Sequence, residues 1–137
     1  MKHILIFALL LGVACPAQDA ATLAAREANQ HAFELFQLFR QMTKGNFCFS
    51  PYSGHRVAAM LTEGARGDTQ KELAAMAHLA TDAAERSARA SALRQELGKA
   101  AAKGLVLQIT NSIWAPDSVA FVPAFLNSAQ EQFGASA

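Results

Sequence analysis

The segment Leu105 to Trp114, LVLQITNSIW, constrains the fold more than any other stretch of the chain. Leu105, Leu107, Ile109 and Ile113 fall on one face of a strand, and Val106, Gln108, Thr110, Ser112 and Trp114 on the other. A strand of this length exposes backbone N–H and C=O groups along both edges, and each needs a partner. The other strand candidate is the short apolar run Asn46-Phe47-Cys48-Phe49. A two-stranded ribbon made from the pair is marginal in water. The chain therefore offers a long sheet strand without its sheet. It reads as the front part of a larger α+β domain that ends early, with about five helices, one long central strand and one short strand.

The helices follow from apolar spacing and punctuation. Residues 18–28 read as a polar, alanine-rich leader, with Asn29 as a cap. Ala32, Leu35, Phe36 and Phe39 then repeat at helical spacing, widened by Phe33 and Met42, and Lys44-Gly45 closes the helix. After the short strand, Ser50-Pro51 opens a second helix: serine caps free N–H groups, and proline at the first position gives up an N–H that has no helical partner. Val57, Met60 and Leu61 share its inward face, and Gly64 stops it. Thr69-Gln70-Lys71-Glu72 has the form of a capping box for a third helix, with Leu73, Met76 and Ala77 inward. Thr81-Asp82 caps a fourth, Glu85 to Lys103, whose apolar stripe of Leu93 and Leu97 is narrow, with Arg86 and Arg89 mostly off it. Pro123 opens a fifth, with Val122, Phe125, Leu126, Ala129 and Phe133 in register and Gly134 as its end.

Composition excludes several roles. Net charge is +1 with no basic block, so nothing favours nucleic acid or an anionic membrane surface. Hydrophobic content of 52% against 17% charged marks a packing sequence. Residues 1–17 read as a signal peptide: a positive start at Met1-Lys2-His3, an apolar run Ile4 to Val13 too short to span a bilayer, and small residues before Ala17. Cleavage there makes the mature protein secreted or periplasmic. A lipoprotein signal with Cys15 as the lipidated residue is the alternative, although Gly12 and Pro16 depart from that pattern. With Cys15 removed or modified, Cys48 is alone, so no disulfide framework is expected. Its apolar neighbours Phe47 and Phe49 suggest a buried, inert thiol.

Several motifs resemble the serpins, the serine-protease-inhibitor family. Asn46 to Ser53, NFCFSPYS, resembles the family's strand-to-helix B junction, and Ala59-Met60-Leu61 through Gly64-Ala65-Arg66-Gly67-Asp68-Thr69 is similar to its helix B exit and helix C start. Asn111-Ser112-Ile113-Trp114 resembles the end of a central-sheet strand, and Pro123 to Gly134 resembles helix E. The resemblance covers residues 29–137, a partial serpin domain, the N-terminal portion of a fold about two to three times as long. It implies that Ser50 and Ser53 belong to the shutter floor, beneath the place where sheet strands part. It also implies a function, inhibition of serine (or cysteine) proteases: the target cleaves a reactive-centre loop, is held as an acyl-enzyme, and the loop inserts into the sheet. That loop and most of the sheet have no counterpart here. These residues are therefore not expected to inhibit by trapping, the alternative being a non-inhibitory remnant or binding fragment. The expected partner of the full-length family is a protease, with no enzyme activity and no cofactor.

Gly54, His55 and Arg56 depart from the family, which has an aliphatic residue at the first of these positions and a buried helix around them; Glu63 is likewise more polar than usual. These residues are expected to weaken helix packing. Other signals have plainer readings. Arg66-Gly67-Asp68 is a literal RGD, but a turn needs the glycine and a cap the aspartate. His3, His31, His55 and His78 have no metal-ligand spacing. Ser53 and His55, two apart on a helix, point to different sides and make a poor nucleophile–base pair.

Overall fold

The computed structural model describes residues 18–101 and 106–136. The expected signal segment 1–17, with His3 and Cys15, lies outside the described residues, as does Leu105 at the head of the expected strand. Helix α1 spans Ala20–Met42 and is capped by Asp19, whose carboxylate accepts from the Thr22 N–H at 2.7 Å. The alanine-rich lead-in is thus helical, as its propensity allows, and Asn29 lies inside the helix instead of capping it. Its buried residues are Ala24, Glu27, Ala28 and His31, while Phe33 is 70% exposed. The aromatic half of the expected stripe is therefore mostly outside the core. Phe36 and Phe39 instead meet Phe47 and Phe49 of the next segment, the closest pair (Phe39–Phe49) edge-on at 4.9 Å between centroids.

Those aromatic contacts hold Asn46 to Phe49 against α1, but the run forms no strand among the described residues. Cys48, expected to be buried, is exposed, since Phe47 and Phe49 turn to the helix and leave it outside. Helix α2 (Pro51–Gly64) packs against α1, α3 (Gly67–Met76) and α5 (Pro123–Phe133). Helix α4 (Ala83–Ala101) lies along α1 and touches α5. Its cap is the expected Asp82, which accepts from the Glu85 N–H at 2.8 Å, and the helix begins at Ala83, ahead of the expected Glu85. The α3 capping box does not form. The helix begins at Gly67, ahead of Thr69, and its cap position Arg66 makes no side-chain cap bond. Asp68 pairs with Lys71 instead. Helix α5 has its proline at the start and Gly134 at the end, left-handed at φ 64° with its N–H on the Gln130 carbonyl.

The expected ten-residue strand is laddered only at β1, Asn111–Ser112. It pairs in parallel with β2, Ala135–Ser136, in the register Asn111↔Ala135 and Ser112↔Ser136. Residues 106–110 have no ladder partner among the described residues, and Val106, Leu107 and Ile109 are exposed. The helix-rich α+β architecture is present, with the sheet reduced to this pair among the described residues. The core between α2, α5 and β2 consists of Ala59, Met60, Ala129, Phe133 and Ala135, with Phe125, Leu79 and Ile113 at its margin. Among the described residues no helix is long and apolar enough to cross a membrane.

Close packing of α2 on α5 rests on Gly64. A Cβ there meets the Phe125 ring at 2.9 Å, and Phe125 is itself wedged against the core. Gly64→Ala is expected to lower stability by roughly 1–2 kcal/mol, the overpacking cost exceeding the helix-propensity gain. Gly98 in α4 is exposed, with nothing within 4 Å of such a Cβ. Gly98→Ala is expected to raise stability by about 0.5–1 kcal/mol. Thermal melts of the two variants read both signs, and a shift in the same direction for both contradicts this packing.

Candidate functional site

The start of α2 and the end of α3 form the polar centre of the molecule. Ser50 caps α2. Its Oγ accepts weakly from the Ser53 N–H at 3.4 Å and lies 2.8 Å from Ser53 Oγ, and both serines are exposed. Gly54 faces α1, where a Cβ would make ordinary contact with Leu35 Cδ1 at 3.7 Å and His31 Nε2 at 3.9 Å. His55 and Arg56 follow, and both are buried at 5% exposure. Val57 and Leu61, expected inward, are exposed, and the buried face of α2 is His55, Arg56, Ala58, Ala59, Met60 and Thr62. The two departures thus lie on the packing side, and the surrounding helices satisfy much of their polarity.

His55 works on α3. A helix end leaves its last carbonyls without helical donors, and here nearly all can be accounted for. The Ala77 N–H bonds the Leu73 carbonyl, Leu79 N–H bonds Ala74, and His78 N–H bonds Ala75. This is a Schellman-type end in which His78 takes the left-handed position at φ 55°. The next two carbonyls are taken by imidazoles from other helices: His31 Nδ1 donates to Met76 at 3.0 Å, and His55 Nε2 donates to Ala77 at 3.1 Å. Carbonyls only accept, so both ring nitrogens carry protons. The two rings are 5.6 Å apart, and His78 pairs with Glu34 of α1 at 2.8 Å. Three histidines on separate elements therefore meet around one helix terminus. Burial pushes the His55 pKa down to about 4, against the opposing effect of its carbonyl bond, and electrostatic repulsion from His31, Arg56 and His78 adds to the lowering.

Arg56 reaches α5. Its Nη2 donates to the Gln132 carbonyl at 3.2 Å, and its guanidinium lies 4.4 Å over the Phe133 ring. Burial lowers its pKa, and no carboxylate pairs with it among the described residues. Glu63, the other departure, does have a partner: Arg86 Nε of α4 donates to it at 2.7 Å. Arg86 also donates to the Ala80 and Thr81 carbonyls at 3.2 and 2.8 Å, and so is buried, contrary to its expected place off the stripe. Arg89 bridges Glu27 of α1 and Glu85. The polar residues that looked like defects in α2 are thus the points at which it is tied to α3, α4 and α5.

Asn111 belongs to the same assembly. Its Nδ2 donates to the Phe133 carbonyl at 2.7 Å, fixing β1 to the end of α5. Trp114 does not join it: it is 90% exposed, and its indole N–H bonds Ser112 Oγ at 2.9 Å. Ser53 and His55 face opposite ways, one exposed and one buried on a carbonyl, which removes the nucleophile–base geometry. Among the described residues no group of three His, Cys, Asp or Glu side chains is placed to hold a metal ion. The serine cap marked Ser50, helical spacing placed Phe133 on the inward face of α5, and the family resemblance singled out Gly54 and Asn111, but the contacts of Gln132 and Arg86 were missed. These reach the centre through helix pairing between distant parts of the chain, and no short-range signal encodes that.

The model of the family Serpin (serine protease inhibitor) matches residues 26–137, which include every residue of this centre. The chain is 31% identical over 105 residues to the leukocyte elastase inhibitor of Xenopus tropicalis, covering 73% of this chain and 27% of that protein. It is 33% identical over 106 residues to leukocyte elastase inhibitor A of Mus musculus, and 31% over 105 residues to the leukocyte elastase inhibitor of Homo sapiens, each covering 76% of this chain and 27% of the relative. No solved structure gives a significant match. The chain therefore spans about a quarter of the length of the curated relatives it matches. The five helices, the Ser50-capped α2 and the match across residues 26–137 lead to one conclusion: this chain belongs to the serpin family.

Proposed function

We infer that the chain supplies the helical floor of a serpin-type protease inhibitor, and that these residues alone do not trap a protease. The supporting observation is the family match over residues 26–137 combined with large apolar side chains that stay uncovered among the described residues. Phe33, Val57, Leu61, Val106, Ile109 and Trp114 are all exposed. Large apolar side chains left exposed on a sheet strand and on helices belong against another layer. In this reading the missing layer is the central sheet, and residues 106–110 wait for the strands that would ladder them. Ser50 and Ser53 then form the floor beneath that sheet. Export is part of the proposal, resting on the positive start and apolar run within residues 1–17.

Trapping needs a cleavable loop and a sheet able to accept it as a strand, and neither has a counterpart in residues 26–137. Mixing the chain with leukocyte elastase, trypsin-like and chymotrypsin-like proteases is therefore expected to leave no SDS-stable complex. Such a complex with any of them refutes the non-trapping reading. The exposed apolar faces also favour association: size-exclusion chromatography is expected to show self-association. A monomer with a cooperative melt by circular dichroism favours a binding fragment with an independent role.

A further inference from the structure

Three buried polar atoms, His55 Nδ1, Arg56 Nε and Gln132 Oε1, have no hydrogen-bond partner among the described residues, and all three residues line one small cavity. The cavity measures about 20 Å³ and is otherwise lined by apolar groups, among them Ala59, Leu79, Leu93 and Phe133, and by the charged residues Glu27, Glu63 and Arg86. The acids on its wall are already paired, Glu63 with Arg86 and Glu27 with Arg89. A fourth unpartnered atom, Arg89 Nε, belongs to a residue that does not line the cavity.

The polarity of the three atoms defines what could satisfy them. His55 Nε2 carries the proton that bonds the Ala77 carbonyl, so in the neutral ring Nδ1 can only accept. Arg56 Nε can only donate. Gln132 donates from Nε2 to Ser128 Oγ at 2.7 Å, which leaves Oε1 an acceptor. The set is therefore two acceptors and one donor. An anion would face two lone-pair atoms, and a cation would face the guanidinium. A water molecule donates twice and accepts once, matching all three. If the Gln132 amide is turned end for end, water still fits by accepting twice and donating once. Size agrees: a water needs roughly 10–15 Å³ by this measure and typically makes about three hydrogen bonds when buried.

We propose that this cavity is the binding site of one structural water, held by His55 Nδ1, Arg56 Nε and Gln132 Oε1, that joins α2 to α5. The water supplies the acceptor that the buried guanidinium lacks and completes the His55 ring, whose other nitrogen closes α3. Helix α2 is thus tied to α3 and α5 through one imidazole, with protein on one side and solvent-derived oxygen on the other.

Oxygen-17 magnetic relaxation dispersion on the 137-residue chain reads the water directly, because an internal water exchanges far more slowly than surface hydration. The expected result is a dispersion step from a long-lived water that falls by one water equivalent in Gln132→Met, a change at a half-buried position that removes one of its acceptors. A long-range nitrogen-15 correlation spectrum above the ordinary histidine pKa provides a second readout without any variant. His55 Nδ1 is expected to be unprotonated, with the shift of a hydrogen-bonded acceptor. A wild-type chain without a long-lived water, a step unchanged in Gln132→Met, or a protonated Nδ1 would overturn the proposal.

Discussion

Phe133→Ala is expected to lower the stability of the chain by about 3–5 kcal/mol, the range for emptying a buried phenylalanine site. Phe133 is 4% exposed and packs with Ala59, Met60, Ala129 and Ala135. Alanines dominate that core and have no side-chain length with which to close the cavity, so relaxation recovers little. A second loss adds to the first. The Arg56 guanidinium sits over the ring at 4.4 Å, and truncation removes the aromatic face from a buried cation. A chain of this size has only about 5–15 kcal/mol in total, so the variant approaches unfolding. Phe33→Ala serves as the comparison: the residue type is the same, the position is 70% exposed, and the expected change is within about 0.5 kcal/mol. Urea unfolding followed by far-ultraviolet circular dichroism measures both. Similar losses for the two variants would contradict the placement of the core.

Acidification gives the second large effect. The His55 pKa is about 4 in the folded chain against an ordinary 6.5, so folding favours the neutral ring. Between these values the unfolded chain binds the proton and the folded chain does not, and stability therefore falls as the pH is lowered from about 6.5 to about 4. The shift corresponds to about 3 kcal/mol, fully lost once the pH is below the folded value. The physical cause is a buried ring that faces His31, Arg56 and His78, each of which opposes a further positive charge. His55→Gln keeps an N–H able to reach the Ala77 carbonyl and removes the titration. All other titratable groups are common to both proteins, so the difference between the two stability–pH curves isolates His55. The wild-type chain is expected to lose about 3 kcal/mol more than the variant across this window. Parallel curves would show that His55 is not held neutral by burial.

Legibility in the sequence followed the range of the interaction. Helix α5 was readable end to end because Pro123 and Gly134 act on their own backbone, and Asp82 was readable as a cap for the same reason. Thr69 to Glu72 shows the limit of such local signals: the capping-box pattern is present, but Gly67 already starts the helix and the box lies inside it. The strand and the inward faces were less legible because they depend on neighbours. The alternation at 106–114 is real, yet a ladder forms only where β2 comes alongside, at Asn111 and Ser112. Val57 and Leu61 match the helical period as well as Met60 does, but α1, α3 and α5 converge on the other side of α2 and bury His55 and Arg56 instead.

The sequence by itself determined the helix-rich α+β class, the serpin resemblance, the serine cap of α2 and the shortage of sheet, because each rests on short-range pattern or on a strand that needs neighbours. Tertiary structure alone decided that His31 and His55 close the end of α3, that Glu63 meets Arg86, and that Phe133 is buried while Phe33 is not. Burial and hydrogen bonding at those positions depend on helices brought together from distant parts of the chain. A histidine or arginine that looks like a defect in one helix becomes a tie once a facing carbonyl, carboxylate or aromatic ring is in place.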